Sequence, residues 1–125
     1  METAPDGSIV YPLTRSARCS TAQFVLEAGA VARAVYHRRV EEVWHVTEGH
    51  GEIWLAGPDG ERTMTLCPGV TVSIAPGVRF QFRAVGEGAL RIFGVTAPPW
   101  PLEGEEEAMV TDGPWVPTID AGAGT

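Results

Sequence analysis

Two residues in the first half of the chain, His37 and Glu42, have side chains suited to proton transfer or metal binding. They lie in the pattern Gly29-x5-Val35-x-His37-x4-Glu42-x6-Gly49. Burial and charge attraction can bring an imidazole next to a carboxylate to a pKa useful for proton transfer. The same two groups are ligands for divalent metals. A third interpretation is a hydrogen-bonded pair that only satisfies two buried polar groups.

The pattern resembles the first sequence motif of the cupin family. In that motif a His usually stands where this chain has Val35, and a second His and a Glu stand at the positions of His37 and Glu42. The spacing of the two flanking glycines also agrees with the family motif. The resemblance implies that Val35 replaces a metal-binding His.

A later stretch resembles the second cupin motif. It contains Gly69, then Ala75-Pro76-Gly77, then Phe80 where the family has a metal-binding His and Ala84 where it has an Asn. The resemblance extends over roughly residues 20 to 98. It implies an all-β fold, a single-domain cupin-type jelly-roll β-barrel.

Period-two alternation of apolar and polar residues, bounded by Gly and Pro, independently predicts strands over most of the chain. The clearest turn is Gly57-Pro58-Asp59-Gly60, between predicted strands at 52–56 and 62–66. The single candidate for a helical turn is 103–109, where Glu residues suit a helix N-terminus. A solvated acidic tail is an equal alternative there.

The length of 125 residues and a hydrophobic content of 44% predict one domain with a core of its own. Three regions are expected along the chain: a flexible N-terminal segment at 1–16, the β-barrel at 17–100, and a C-terminal strap and tail at 101–125. The strap contains Trp115 and is expected to pack on the barrel or on a second subunit.

The net charge of -7 disfavours nucleic acid and anionic membranes as partners. The N-terminus has no basic region followed by an apolar run, and no stretch is apolar enough to span a membrane, so we predict a cytoplasmic protein. Cys19 and Cys67 lack metal-type spacing and are expected to be reduced thiols, with a disulfide as the alternative.

Strand alternation also predicts which side chains share the interior of the barrel. We expect an aromatic and aliphatic pocket with few polar groups, which suits an organic ligand. Glu42 is the expected proton-transfer group, His37 its partner, and Arg33 an anchor for a substrate oxygen or carboxylate. The predicted substrate-binding residues are Arg33, Val35, Trp44, Phe80, Phe82 and Arg91.

We expect no cofactor, because a firm divalent site needs three or four protein ligands and His37 with Glu42 supplies two. The alternative is a divalent metal held by these two residues, with His45 or His50 recruited as a further ligand.

The leading functional hypothesis is an enzyme acting by metal-independent acid/base chemistry, as an isomerase, cyclase or dehydratase on a small-molecule substrate. The resemblance implies secondary-metabolite biosynthesis as a setting and a homodimer formed through the outer strands. One alternative is a non-catalytic small-molecule-binding cupin. Another is a metal-dependent cupin isomerase or dioxygenase with a remodelled ligand set.

Overall fold

All regular secondary structure in the described part of the chain is β-strand. The computed structural model describes residues 1–100 and 107–119. The strands in these ranges are β1 (Glu2–Thr3), β2 (Ile9–Arg15), β3 (Ser20–Leu26), β4 (Val35–His37), β5 (Glu41–Glu48), β6 (His50–Gly57), β7 (Gly60–Leu66), β8 (Thr71–Ile74), β9 (Arg79–Val85), β10 (Leu90–Ala97) and β11 (Ala108–Val110).

These strands form two antiparallel sheets that pack face to face. One sheet has the order β1-β2-β3-β10-β5-β8, and the other has the order β11-β4-β9-β6-β7. The predicted turn joins β6 to β7, with Gly57 paired to Gly60. Two sheets with crossovers of this kind form a jelly roll, so the prediction of an all-β jelly roll is confirmed.

Strand alternation places the core between the sheets. On β5, Glu42, Trp44 and Val46 are buried while the residues between them are exposed. Trp44 contacts Phe80 and Phe82 from the opposite sheet, with ring centroids 5.6 and 4.9 Å away. Such edge-to-face contacts of fully buried rings are typical of a well-packed core.

The N-terminal segment at 1–16, predicted from the sequence to be flexible, contains strands β1 and β2. β1 and β2 extend the first sheet, and the backbone of β2 pairs with β3 along its length. Pro12 interrupts the sequence pattern of β2. It is tolerated because β2 is paired on one side only beyond Val10, and the register shifts between Pro12 and Thr14.

In the described part of the C-terminal region, a strand includes the end of the candidate helical turn at 103–109. Residues 108–110 form β11, which pairs with β4, and residues 103–106 lie outside the described residues. Further on, the backbone of Trp115 exchanges two hydrogen bonds with the side chain of Gln81, at 3.0 and 2.8 Å. The guanidinium of Arg83 lies 4.1 Å from the centroid of the Trp115 ring. This part of the predicted strap therefore packs on the barrel. The remaining residues of the strap, 101–106 and 120–125, lie outside the described residues.

Two smaller expectations concern the thiols and membrane-spanning segments. Cys19 and Cys67 are free and half-buried. Across residues 1–100 and 107–119, no helix has the length and apolar character needed to cross a membrane.

Candidate active site

A cavity between the two sheets brings together five of the buried polar residues. Its polar lining consists of Asp6, Ser8, His37, Glu42 and Thr96. Four aromatic rings form much of the remaining wall: Phe24, Trp44, Phe80 and Trp100. The space that the centre of a water molecule can reach inside it is about 30 Å³. In this conformation the cavity therefore accommodates a very small molecule or a few waters.

His37 and Glu42 form a buried pair that bridges the two sheets. His37 ends β4 in one sheet and Glu42 lies on β5 in the other, and the chain between them is a short loop. The Nε2 atom of His37 lies 3.0 Å from Oε2 of Glu42, and the two side chains are 9% and 5% exposed. The loop is held by Glu107, whose Oε1 accepts hydrogen bonds from the backbone N–H groups of Arg39 and Val40.

The surroundings of His37 favour its protonated form. Burial is the largest influence and lowers its pKa, but the hydrogen bond to Glu42 and the negative charges of Glu42, Asp6 and Glu107 together raise it above the ordinary value of 6.5. The ring stacks on Phe80 at a centroid distance of 5.8 Å and meets the edge of Trp100 at 5.3 Å. Its Nδ1 atom is buried and has no hydrogen-bond partner in the described part of the chain.

Asp6 contributes a second carboxyl group to the cavity. Its Oδ1 accepts hydrogen bonds from the backbone N–H of Ser8 at 2.9 Å and from the Ser8 hydroxyl at 2.7 Å. Burial raises the pKa of Asp6, the Ser8 hydrogen bonds oppose this, and the charge of Glu42 adds to the rise. The sequence analysis missed Asp6, although Asp-Gly-Ser is typical of a turn in which an Asp side chain binds the backbone two residues on.

Of the residues predicted to bind substrate, Val35, Trp44 and Phe80 line the cavity together with His37 and Glu42. Phe82 does not line it and packs behind Trp44. Trp100 was not among the predicted substrate-binding residues, and it also lines the cavity.

Arg33 and Arg91, the two arginines predicted to bind substrate, do not line the cavity. Arg33 contacts the site through its backbone N–H, which donates to the carbonyl of Asp6 at 2.9 Å, and its Nε is buried with no hydrogen-bond partner among the described residues. Arg91 lies at the surface, where its Nε is 2.8 Å from Oε2 of Glu48. The alternation of β10 explains this placement, because Leu90 and Ile92 on either side of Arg91 are fully buried.

Comparison with known families identifies the fold family. Residues 22–96 match the family described as Cupin domain. The chain belongs to the cupin family. No curated protein matches it in sequence.

Solved structures with the same fold are numerous and distant in sequence. The vicilin from Solanum melongena is 22% identical with a TM-score of 0.62, and the match covers 64% of this chain and 23% of the vicilin. KdgF from Halomonas sp. is 18% identical with a TM-score of 0.65, over 74% of this chain and 79% of KdgF. An oxalate decarboxylase from Lactobacillus farciminis is 14% identical with a TM-score of 0.71, over 88% of this chain and 33% of that protein. At these identities the likeness shows the cupin fold and leaves the activity to be argued from the site.

The residues of this cupin do not fit the metal that the family motif implies. Val35 and Phe80 are apolar, buried and part of the cavity wall at two ligand positions. His45 and His50, the candidates for recruitment, are both exposed. No group of three His, Cys, Asp or Glu side chains within 1–100 and 107–119 is arranged to hold a metal ion. The remaining imidazole and carboxylate are hydrogen-bonded to each other, so proton transfer is the chemistry that these two groups offer.

We expect the free energy of unfolding to fall as the pH rises above 6.5. The pKa of His37 is raised in the folded protein above its ordinary value of 6.5, so the folded state binds this proton more tightly than the unfolded state. That stabilisation is complete below the unfolded pKa and is lost as the pH rises through the folded pKa. Urea unfolding at several pH values measures this slope. His37→Gln should flatten it, while His45→Gln, which removes an exposed imidazole, should leave it intact; equal slopes in all three proteins would contradict the prediction.

Proposed function

We propose that this cupin is an enzyme that moves a proton on a small organic substrate, with Glu42 and His37 as the proton-transfer pair. The observation that carries the proposal is the 3.0 Å contact between His37 Nε2 and Glu42 Oε2 at the wall of a largely aromatic cavity. Burying an imidazole and a carboxylate is costly, and buried pairs with shifted pKa values in a cavity are typical of active sites.

The pair supports a balanced cycle of proton transfers. Glu42 as carboxylate removes a proton from a carbon next to a carbonyl group, and His37 as imidazolium gives a proton to the oxygen on which negative charge develops. These steps leave a protonated Glu42 and a neutral His37. Glu42 then returns a proton to carbon, and the hydroxyl formed on the substrate returns its proton to Nδ1 of His37, which restores the starting state while Nε2 keeps its hydrogen bond to Glu42. Isomerisation, cyclisation and dehydration all use such a removal and delivery of protons.

The cavity walls limit the kind of substrate. The space that the centre of a water molecule can reach, about 30 Å³, suits a compound of a few heavy atoms, or one whose entry displaces a wall residue. The rings of Phe80 and Trp100 cover the His37 ring, and the low exposure of the pair strengthens the electrostatic interactions on which proton transfer depends. The buried Nε1 of Trp44 has no hydrogen-bond partner in the described ranges and is a donor available to a bound molecule if the wall adjusts.

Exchange of carbon-bound protons tests the proposal with simple carbonyl compounds as probes. The protein is incubated in D₂O with acetone, hydroxyacetone or dihydroxyacetone, and loss of the α-proton signals is followed by ¹H NMR. We expect exchange faster than in buffer for at least one compound. Binding without any accelerated exchange would reject the proposal in favour of the non-catalytic binding cupin. Exchange abolished by a chelator and restored by a divalent metal would instead favour the metal-dependent alternative.

A further inference from the structure

Asp6 brings to the cavity a carboxyl group that the proton-transfer pair does not use. Both hydrogen bonds that the described chain makes to this group converge on Oδ1, from the N–H and the hydroxyl of Ser8. The second oxygen, Oδ2, has no such partner, although the residue is only 8% exposed and lines the cavity. A carboxylate oxygen that borders the cavity and has no protein partner is available to a ligand.

The position of Asp6 is fixed by the backbone around it. The N–H of Gly7 donates to the carbonyl of Ala4 and the N–H of Ala4 donates to the carbonyl of Ser8, both at 2.8 Å. The carbonyl of Asp6 itself accepts from the N–H of Arg33 at 2.9 Å, which ties this turn to the segment leading into β4. A side chain held in this way is preorganised for recognition.

The charged groups that line the cavity, Asp6 among them, disfavour an anionic ligand. The cavity-lining residues in the described chain include no Arg or Lys. The one cation that the lining can form is the His37 imidazolium, and Glu42 neutralises it at 3.0 Å. An anionic ligand would lose its hydration and meet two carboxyl groups with no unpaired cation in return.

We propose that Asp6 makes the cavity selective for uncharged substrates, because its free oxygen accepts a hydrogen bond from a hydroxyl or N–H group of the ligand and its charge opposes carboxylates and phosphates. The inference rests on the proposed function in assigning the substrate of that same cavity. In this proposal Asp6 has the anchoring role that was predicted for Arg33. Asp6 disfavours an anionic ligand, whereas Arg33 would favour one.

Acetamide and acetate test the selectivity, because they have nearly the same shape and differ in charge at pH 7. Binding is followed in a ¹⁵N-labelled protein through the indole N–H signal of Trp44, which lines the cavity, after assignment by Trp44→Phe. We expect acetamide to shift this signal in a saturable way and acetate to bind at least about tenfold more weakly. Equal or tighter binding of acetate, or no saturable shift with acetamide, would overturn the proposal.

The variant Asp6→Asn isolates the carboxyl group. It keeps the size and the oxygen that accepts from Ser8, and it removes the charge. The preference for acetamide over acetate should shrink by about tenfold, mainly through tighter binding of acetate. Asp59→Asn makes the same charge change on an exposed turn and should leave the preference unaltered. An unchanged preference in Asp6→Asn would reject the role of Asp6.

The binding measurement does not depend on turnover. If the wild-type protein shows the selectivity but no exchange of α-protons, the proposed function fails while the assignment of Asp6 stands. If it exchanges α-protons but does not discriminate between the two probes, the assignment fails while the proposed function stands.

Discussion

Replacing Glu42 with Gln should slow α-proton exchange at least about 100-fold and lower the pKa of His37. Glu42 is the group that removes the proton in the proposed cycle, and an amide cannot do so. It is also the hydrogen-bond partner that raises the pKa of His37 against the effect of burial. With Glu42 gone, burial acts against the weaker Coulombic attraction of Asp6 and Glu107, and neutral imidazole gains population.

Two NMR measurements on the same samples check this prediction. Exchange is followed as described for the wild-type protein, and the imidazole signals of His37 are titrated with His45 and His50 as internal references. Glu41→Gln is the matched control, because it makes the same change one residue away on the exposed face of β5. A lowered His37 pKa with undiminished exchange would mean that the pair is structural. Loss of exchange in Glu41→Gln as well would mean that net charge, and not the pair, governs the rate.

The motif residues were predictable because local patterns fix their positions. Glu42 and Trp44 face inward through the strict alternation of β5. Val35 and His37 face the same cavity from β4, and Phe80 does so from β9. Glycine-bounded strands of this kind give both the fold and the lumen-facing side chains from sequence spacing alone.

Asp6 and Trp100 could not be predicted in the same way, because distant contacts place them. The turn at Asp6 is bound through its carbonyl to the N–H of Arg33, and the N–H of Trp100 donates to the hydroxyl of Ser20 at 2.8 Å. Neither residue lies in a periodic stretch, so no local pattern indicates which way it faces. For Arg91 the strand was predictable but the direction of the side chain was not. Which face of β10 meets the lumen depends on the buried neighbours across the barrel.

Gly49→Ala should destabilise the protein far more than Gly29→Ala, although both glycines belong to the same motif and both have positive φ. The angles are 85° at Gly49 and 75° at Gly29, so each substitution places an L-residue in the left-handed region, at a cost of about 1–2 kcal/mol. A Cβ at Gly29 would meet nothing within 4 Å. A Cβ at Gly49 would lie 2.2 Å from the carbonyl oxygen of Ala89 and 2.9 Å from Cα of Leu90.

The contact at Gly49 is with backbone, so the strain cannot be relieved by a side-chain rotation. Either the turn between β5 and β6 or the start of β10 must move, and overpacking of this kind adds about 1–3 kcal/mol or more to the cost of the φ angle. Urea unfolding followed by circular dichroism should therefore show a loss of about 2–5 kcal/mol for Gly49→Ala and about 1–2 kcal/mol for Gly29→Ala. Similar losses for both variants would contradict the close approach of the two backbones.

The same pair of variants shows whether a displacement at Gly49 reaches the candidate active site. β10 pairs with β5 from Arg91 opposite Glu48 to Thr96 opposite Glu42, so a shift at Gly49 acts on the strand that carries Glu42. If Gly49→Ala also lowers the pKa of His37, the displacement extends along β5 and weakens the contact with Glu42. If the pKa of His37 is unchanged in the folded variant, the displacement is confined to the turn, and β5 holds Glu42 in place through its pairing with β8 and β10.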